Sequence, residues 1–222
     1  MKKKIVLIIL FIFPIVTYLI FASAKHNSLF LPTLSENNKE IPKEWVSNSD
    51  EIILLKDKIT VIGFLGSKVL ESKGYLFNLN QKIYKKYYGF YDFQMVMVVS
   101  EGQEEAVKQV ISELKPITED MKGWKFVFAS PDEIDAYYKS FNLLGKLDEF
   151  QNTTSVFILD KDLKHRGRKG TDLRGKKEYK ESYNTFSASE LHNEMTDDVK
   201  IILREYRLAL KRNKEKLYLN EK

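Results

Sequence analysis

Apolar residues along this chain fall into two alternating rhythms. Short, nearly continuous runs occur at Ile59 to Leu65, at 93–100 (FQMVMVVS), at 124–129 (WKFVFA) and at 155–159 (SVFIL). Runs of this length, rich in Val, Ile and Phe, predict strands, and the 93–100 run predicts a central strand covered on both faces. Between them the spacing changes to three and four. Leu76, Leu79, Ile83 and Tyr87 fall on one face of a helix ending near Gly89, and Ala106, Val107, Val110, Ile111 and Leu114 do the same within Glu101 to Leu114. After the third strand, Ser130-Pro131-Asp132-Glu133 has the composition of a helix start, with Ile134, Tyr137, Tyr138 and Phe141 turned inward. The turn Asp160 to Leu163 predicts that Lys164 to Arg168 returns as an antiparallel edge strand. Near the end, Thr196 is a candidate cap for a helix presenting Val199, Ile202, Leu203, Tyr206 and Leu210. A short strand at Ile52 to Leu55 is also expected. Strand, helix, strand, helix with right-handed crossovers implies parallel neighbours in an α/β sheet.

The first 24 residues follow neither rhythm. Lys2, Lys3 and Lys4 precede Ile5 to Ala24, twenty residues without a charge, long enough as a helix to cross roughly 30 Å of hydrocarbon. The lysines favour the cytoplasmic side, which places the remaining chain outside, in a bacterial periplasm. A cleaved signal peptide is the competing reading, because Ala22-Ser23-Ala24 offers a small-residue cleavage pattern. Residues 25–50 read as an exported spacer with a docked portion near Trp45 and Val46. Residues 51–212 form the folded domain, and 213–222 a charged tail.

Charge and cysteine content then narrow the function. The formal charge of +5 contains the three leading lysines; without the first 24 residues, 33 basic face 31 acidic side chains, a net of +2. A nucleic-acid partner loses its electrostatic support. The chain has no cysteine, hence no disulfide, thiol nucleophile or thiolate metal ligand.

The segments VIGFLGSKVLES, FQMVMVVS, WKFVFAS, TTSVFILDKDLKHRGR and VKIILREY together resemble the exported, often membrane-anchored Sco-like and thiol-disulfide branch of the thioredoxin superfamily. The resemblance covers roughly residues 51–208. It implies a thioredoxin-like three-layer α/β/α sandwich with a C-terminal β-hairpin and helix, preceded here by one transmembrane helix. Sco proteins support assembly of the copper centre of respiratory oxidase, with two cysteines after the first core strand and a histidine before the hairpin. In the most natural register the cysteine positions become Lys68 and Ser72, or Glu71 under a thioredoxin spacing, and the histidine region becomes Asn152-Thr153-Thr154. The cis-proline expected there is absent as well. An ammonium group cannot attack a disulfide, and a serine hydroxyl is far too weak an acid to imitate a thiolate.

Other residues offer little replacement. His26, His165 and His192 have no metal-motif spacing, His192 with Glu194 or Asp197 being the nearest to a fragment. Lys68 and Glu71, three apart, form either an exposed pair or an anion contact. The stretch 161–177 carries eight Lys or Arg against two Asp. It reads as a solvated hairpin or an interaction surface made by Lys164, Arg166, Arg168, Lys169, Arg174, Lys176 and Lys177, with Tyr179 and Tyr183 of YKESYNTF (179–186) as the contact edge. The sequence therefore points to a membrane-tethered, redox-inactive binding or scaffold domain in the cell envelope, not an enzyme, with no catalytic, cofactor or metal residues. Its expected partner is another envelope protein. The alternative is a metallochaperone or enzyme with a rearranged, cysteine-free site.

Overall fold

The computed structural model describes residues 10–18, 30–49, 51–171 and 175–220, with side chains described up to residue 208. Of the Ile5–Ala24 segment, residues 10–18 are helical and the rest lies outside the described residues. Among the described residues no helix is long and apolar enough to cross a membrane.

Three parallel strands form the centre: β3 (Ile59–Gly66), β4 (Phe93–Ser100) and β5 (Trp124–Ala129). Every residue of β3 and β4 is buried, as near-continuous apolar sequence requires when both faces of a sheet are covered. β6 (Ser155–Leu159) runs antiparallel beside β3, and β7 (His165–Arg166) returns beside β6. The predicted return strand is thus present but is not the edge. β1 (Thr33–Ser35) pairs outside β7, and β2 (Val46–Ser47) pairs outside β5. The main sheet of the described residues has the order β1-β7-β6-β3-β4-β5-β2, with β10 (Tyr183–Asn184) pairing the start of β6. A separate two-stranded ribbon joins β8 (Arg168–Thr171) to β9 (Lys177–Lys180).

Helices cover one face. α1 (Lys73–Leu79) continues through a π-helical turn at Asn80–Tyr84 into α2 (Lys85–Tyr87), burying all four residues of the predicted stripe. α3 (Glu104–Leu114) and the C-terminal helix complete this layer against Val61, Met95, Met97 and Phe126. That last helix starts earlier than Thr196. α5 (Ala188–Glu190) is capped by the Ser187 hydroxyl and passes through a π turn at Leu191–Met195 into α6 (Thr196–Asn220). Thr196 is therefore internal, its Oγ1 donating to the carbonyls of Leu191 and Lys82. Val199, Ile202 and Leu203 are buried as expected; the Leu210 side chain lies outside the described set.

The opposite face is covered differently from a simple helical layer. α4 (Pro131–Lys139), with a capping box between Ser130 and Glu133, places Ile134, Tyr137 and Tyr138 over Phe64, Val96 and Val98. The rest of this layer is irregular chain. Residues 31–47, expected as part of a spacer, cross the domain from β1 at one sheet edge to β2 at the other, burying Ile41 and Trp45 while Val46 stays exposed. Ile52–Leu55 is not a strand: it inserts Ile53 and Leu55 into the core. Its backbone is satisfied by side chains, since Glu40 accepts from the Leu55 and Lys56 amides and Gln94 Nε2 donates to the Leu54 carbonyl. This arrangement meets the demand that buried backbone groups be paired without a sheet partner.

One charged cluster locks the β1 edge. Arg166, nearly buried, donates to Asp160 at 2.9 Å, to Glu205 of α6 at 2.7 Å and to the Leu31 carbonyl through two nitrogens. Glu205 also accepts from the Leu31 amide at 2.8 Å. Burial works against the Arg166 charge, but the carboxylates of Glu205 and Asp160 more than offset it and raise its pKa. Because Asp160 is 1% exposed, removing the guanidinium strands a carboxylate in the interior. We expect Arg166→Ala to cost about 3–5 kcal/mol of unfolding free energy, readable as a lowered urea midpoint with an unchanged m-value.

Candidate functional site

The corner where the resemblance places its chemistry is the turn leaving β3. Gly66 has φ +50°, and a Cβ there would stand 1.8 Å from the Phe150 carbonyl oxygen. Glycine thus satisfies two demands at once, a left-handed backbone and the passage of the 148–154 loop directly over the strand end. That loop is tied down: Ser67 N donates to Phe150 O, and Thr153 N to Phe64 O, each at 3.0 Å. Asp148 Oδ1 accepts from the amides of Phe150 and Asn152.

The loop delivers Asn152 onto Ser72, where the resemblance places a cysteine. Asn152 Nδ2 donates to Ser72 Oγ at 2.9 Å and to the Leu65 carbonyl at 3.0 Å, and Ser72 is 1% exposed. Two of the three positions at which the family register expects cysteine or histidine therefore meet, as a neutral and buried hydroxyl–amide pair. An amide is no base, and the described histidines lie elsewhere, so nothing here activates the serine. Lys68 remains outside this contact. Its Nζ rests 3.7 Å from the Phe150 ring centroid, a cation–π geometry, in place of the ion pair with Glu71 that their spacing offered. Glu71 is exposed.

Around this sealed pair exposed apolar side chains stand among charged ones. Phe186 is 61% exposed and meets Tyr75 edge-on at 4.3 Å, and Leu70 and Phe150 are also exposed. Sequence reasoning did not single out Leu70, Tyr75 or Phe150, because only the return of the 148–154 loop and of Phe186 to the β3 corner groups them. Phe186 at least fell within the YKESYNTF stretch.

The predicted interaction surface divides. Arg166 belongs to the buried cluster already described. Arg168 contacts Asp198 at 2.7 Å, Glu178 at 3.3 Å and the Glu194 carbonyl, and Tyr183, fully buried, donates to Asp198 at 2.6 Å. Arg168 thus holds β8 to α6 and Tyr183 holds β10 to it, and both, like Arg166, are structural. Lys164 pairs with Glu36 at 3.2 Å. Lys169, Lys176, Lys177 and Tyr179 are exposed, whereas Arg174 lies outside the described residues. Spacing alone cannot distinguish a solvated arginine from one buried against a carboxylate contributed by a distant helix.

The histidines do not converge. His26 is outside the described residues, and His192 is exposed beside Lys86. His165 is 2% exposed, its ring tilted against that of Phe157, with Nε2 donating to the Glu181 carbonyl at 2.6 Å. Among the described residues no three His, Asp or Glu side chains are grouped to hold a metal ion.

No protein-family model matches the chain, and no curated protein matches it in sequence. Solved structures do. BsSco, a member of the Sco family of cytochrome c oxidase assembly proteins, is 14% identical with a TM-score of 0.57, the match covering 78% of this chain and 98% of that one. A SCO1/SenC family lipoprotein from Bacillus anthracis is 18% identical at a TM-score of 0.55, over 79% of this chain and 99% of the other. The chain has a thioredoxin-like, Sco-like fold. A candidate protein disulfide isomerase from Bacteroides thetaiotaomicron, 9% identical with a TM-score of 0.50 over 79% and 95% of the two chains, shares it. The thioredoxin-like α/β fold that the resemblance implied is thus carried by a chain without cysteine, while the transmembrane helix expected before it is not found among the described residues.

Two outcomes follow from this geometry. Gly66→Ala forces the 148–154 loop away from β3 and strains the backbone, and we expect a loss above about 3 kcal/mol in chemical denaturation. Burial lowers the pKa of His165, only partly countered by its bond to the Glu181 carbonyl. The unfolded chain therefore binds a proton below about pH 6.5 that the folded chain refuses. Stability should fall on acidification through that value and level off below the depressed pKa; His165→Gln should flatten this part of a stability–pH curve.

Proposed function

We propose that this chain is a redox-inactive binding domain of the cell envelope, tethered through residues 5–24, which engages another envelope protein without performing chemistry on it. The observation that carries this reading is the Ser72–Asn152 contact. A corner that presents a reactive thiol must leave it partly open and give it an electropositive or basic neighbour. Here the corner is closed by a neutral hydrogen bond, while exposed apolar side chains gather outside it. Aromatic groups of this kind contribute large contact area at low entropic cost when a partner covers them.

The exposed part of the β8–β9 ribbon supplies a second contact region, now confined to Lys169, Lys176, Lys177 and Tyr179. The process follows from likeness alone: BsSco belongs to a family of cytochrome c oxidase assembly proteins, and assembly of an envelope redox complex is the role that a chemically silent relative of this fold can fill by binding. The lysine-led apolar segment supports export and tethering, and the Bacillus anthracis relative is a lipoprotein.

Photocrosslinking in native membranes tests this. A photoreactive residue at Phe186 or Phe150 should capture one recurrent envelope protein, and the same residue at Val46, exposed on the far sheet edge, should not. Reversing Lys169 and Lys177 to glutamate should weaken capture several-fold. Arg166 and Arg168 must be left intact, because reversing them disrupts the fold. Absence of a recurrent partner at both corner positions would reject the binding role; capture unaffected by the lysine reversals would reject only the ribbon as a contact.

A further inference from the structure

The opposite end of the sheet holds a second feature, about 25 Å of strand away from the Ser72 corner. Five exposed apolar side chains, Ile52, Leu54, Tyr88, Phe90 and Tyr91, border a cleft of about 670 Å³ at the N-terminal ends of β3, β4 and β5. Tyr91 is 89% exposed. Along this edge burial alternates: Ile53 and Leu55 are buried in the core, whereas Ile52 and Leu54 are exposed and line the cleft.

Its polar groups are unevenly satisfied. Lys125 lies 2.7 Å from Glu51 and Lys122 lies 3.7 Å from Asp120, so these charges cancel in pairs. Lys58 has no carboxylate partner among the described residues. Its Nζ donates to the Tyr91 carbonyl at 3.0 Å and stands 4.3 Å from the Tyr91 ring centroid, which holds an uncompensated cation beside an aromatic face. Gln94, 7% exposed, also lines the cleft. Its Nε2 donates to the Leu54 carbonyl and to Thr60 Oγ1, each at 2.9 Å, and its Oε1 accepts from no described residue.

We propose that this cleft binds a small amphipathic anion, with an aromatic or branched apolar body against Leu54, Phe90 and Tyr91, an acidic group on Lys58 and a hydrogen-bond donor on Gln94 Oε1. An apolar lining with a few convergent polar groups is the ordinary design of a small-ligand site. The unpaired lysine supplies the preference for negative charge, because its hydrogen bond to an anionic acceptor is stronger than one to a neutral acceptor. This site is independent of the partner-binding corner and takes a different class of ligand.

Dansylglycine and dansylamide separate the contributions. They share the apolar ring system and an N–H donor, but only dansylglycine carries a carboxylate. With the full chain in nanodiscs and empty nanodiscs subtracted, we expect saturable dansylglycine fluorescence, with affinity about tenfold above dansylamide, as one charge-assisted hydrogen bond provides. Lys58→Gln should erase that preference while leaving dansylamide binding unchanged. Leu54→Glu should weaken both probes, and Val46→Glu, at an exposed site elsewhere, neither. Circular dichroism verifies that each variant is folded, and Tyr91→Ser, at the most exposed wall, repeats the test of the apolar wall should Leu54→Glu unfold. Equal affinities in the unaltered chain, a preference that survives Lys58→Gln, or a signal that rises without saturating would overturn the proposal.

Discussion

Burial of β3 and β4 on both faces is the constraint from which the rest of the architecture follows. Sixteen consecutive-strand residues without access to water need two apolar layers, and the chain has enough helix for only one of them. α1, α2, α3 and α6 supply that layer. The other is completed by the irregular stretch from Leu31 to Leu55, wrapped around α4. Irregular chain has no ladder to satisfy its backbone, so its polar side chains make the bonds: Glu40 accepts from the Leu55 and Lys56 amides within the stretch, while Asn38 donates to the Leu163 carbonyl and Asn48 accepts from the Phe126 amide of the elements beside it. The polar residues that make 25–50 look like a spacer are the same ones that let this segment pack.

That is why legibility was uneven. The four long strands and the helical stripes could be read because their signals are local: each residue's burial follows from neighbours three or four positions away. β1, β2 and β10 could not, since two or three residues carry no period and their pairing is decided across the whole sheet. Ile52–Leu55 looked like a strand for the right local reason, alternating inward and outward side chains, but no strand was available to accept its backbone. Thr196 had the chemistry of a cap and became an internal residue because Ser187 starts the helix nine residues sooner.

The corner shows the same division between identity and placement. From the sequence, Lys68, Glu71 and Ser72 could be recognised as the residues standing where the resemblance places cysteines. What could not be seen was that Asn152, eighty residues away, closes over Ser72, or that Lys68 turns to Phe150 and leaves Glu71 in solvent. The basic stretch misled in the complementary way. Its charges were counted correctly, but Arg166 and Arg168 spend theirs on buried carboxylates supplied by α6.

The Arg166 cluster also fixes where the N-terminal chain joins the domain. Among the described residues Leu31 is the first buried one, and both of its backbone groups are held, the carbonyl by Arg166 and the amide by Glu205. A pull along the N-terminal chain therefore arrives at a bracket bolted to β7 and α6 before it reaches any strand pairing. β1 offers only three residues of ladder to unzip, so resistance to tension resides in a charged joint and not in the sheet. Such a joint holds best in the low-dielectric edge where it sits and would slacken once water entered, giving the domain a defined first point of mechanical failure.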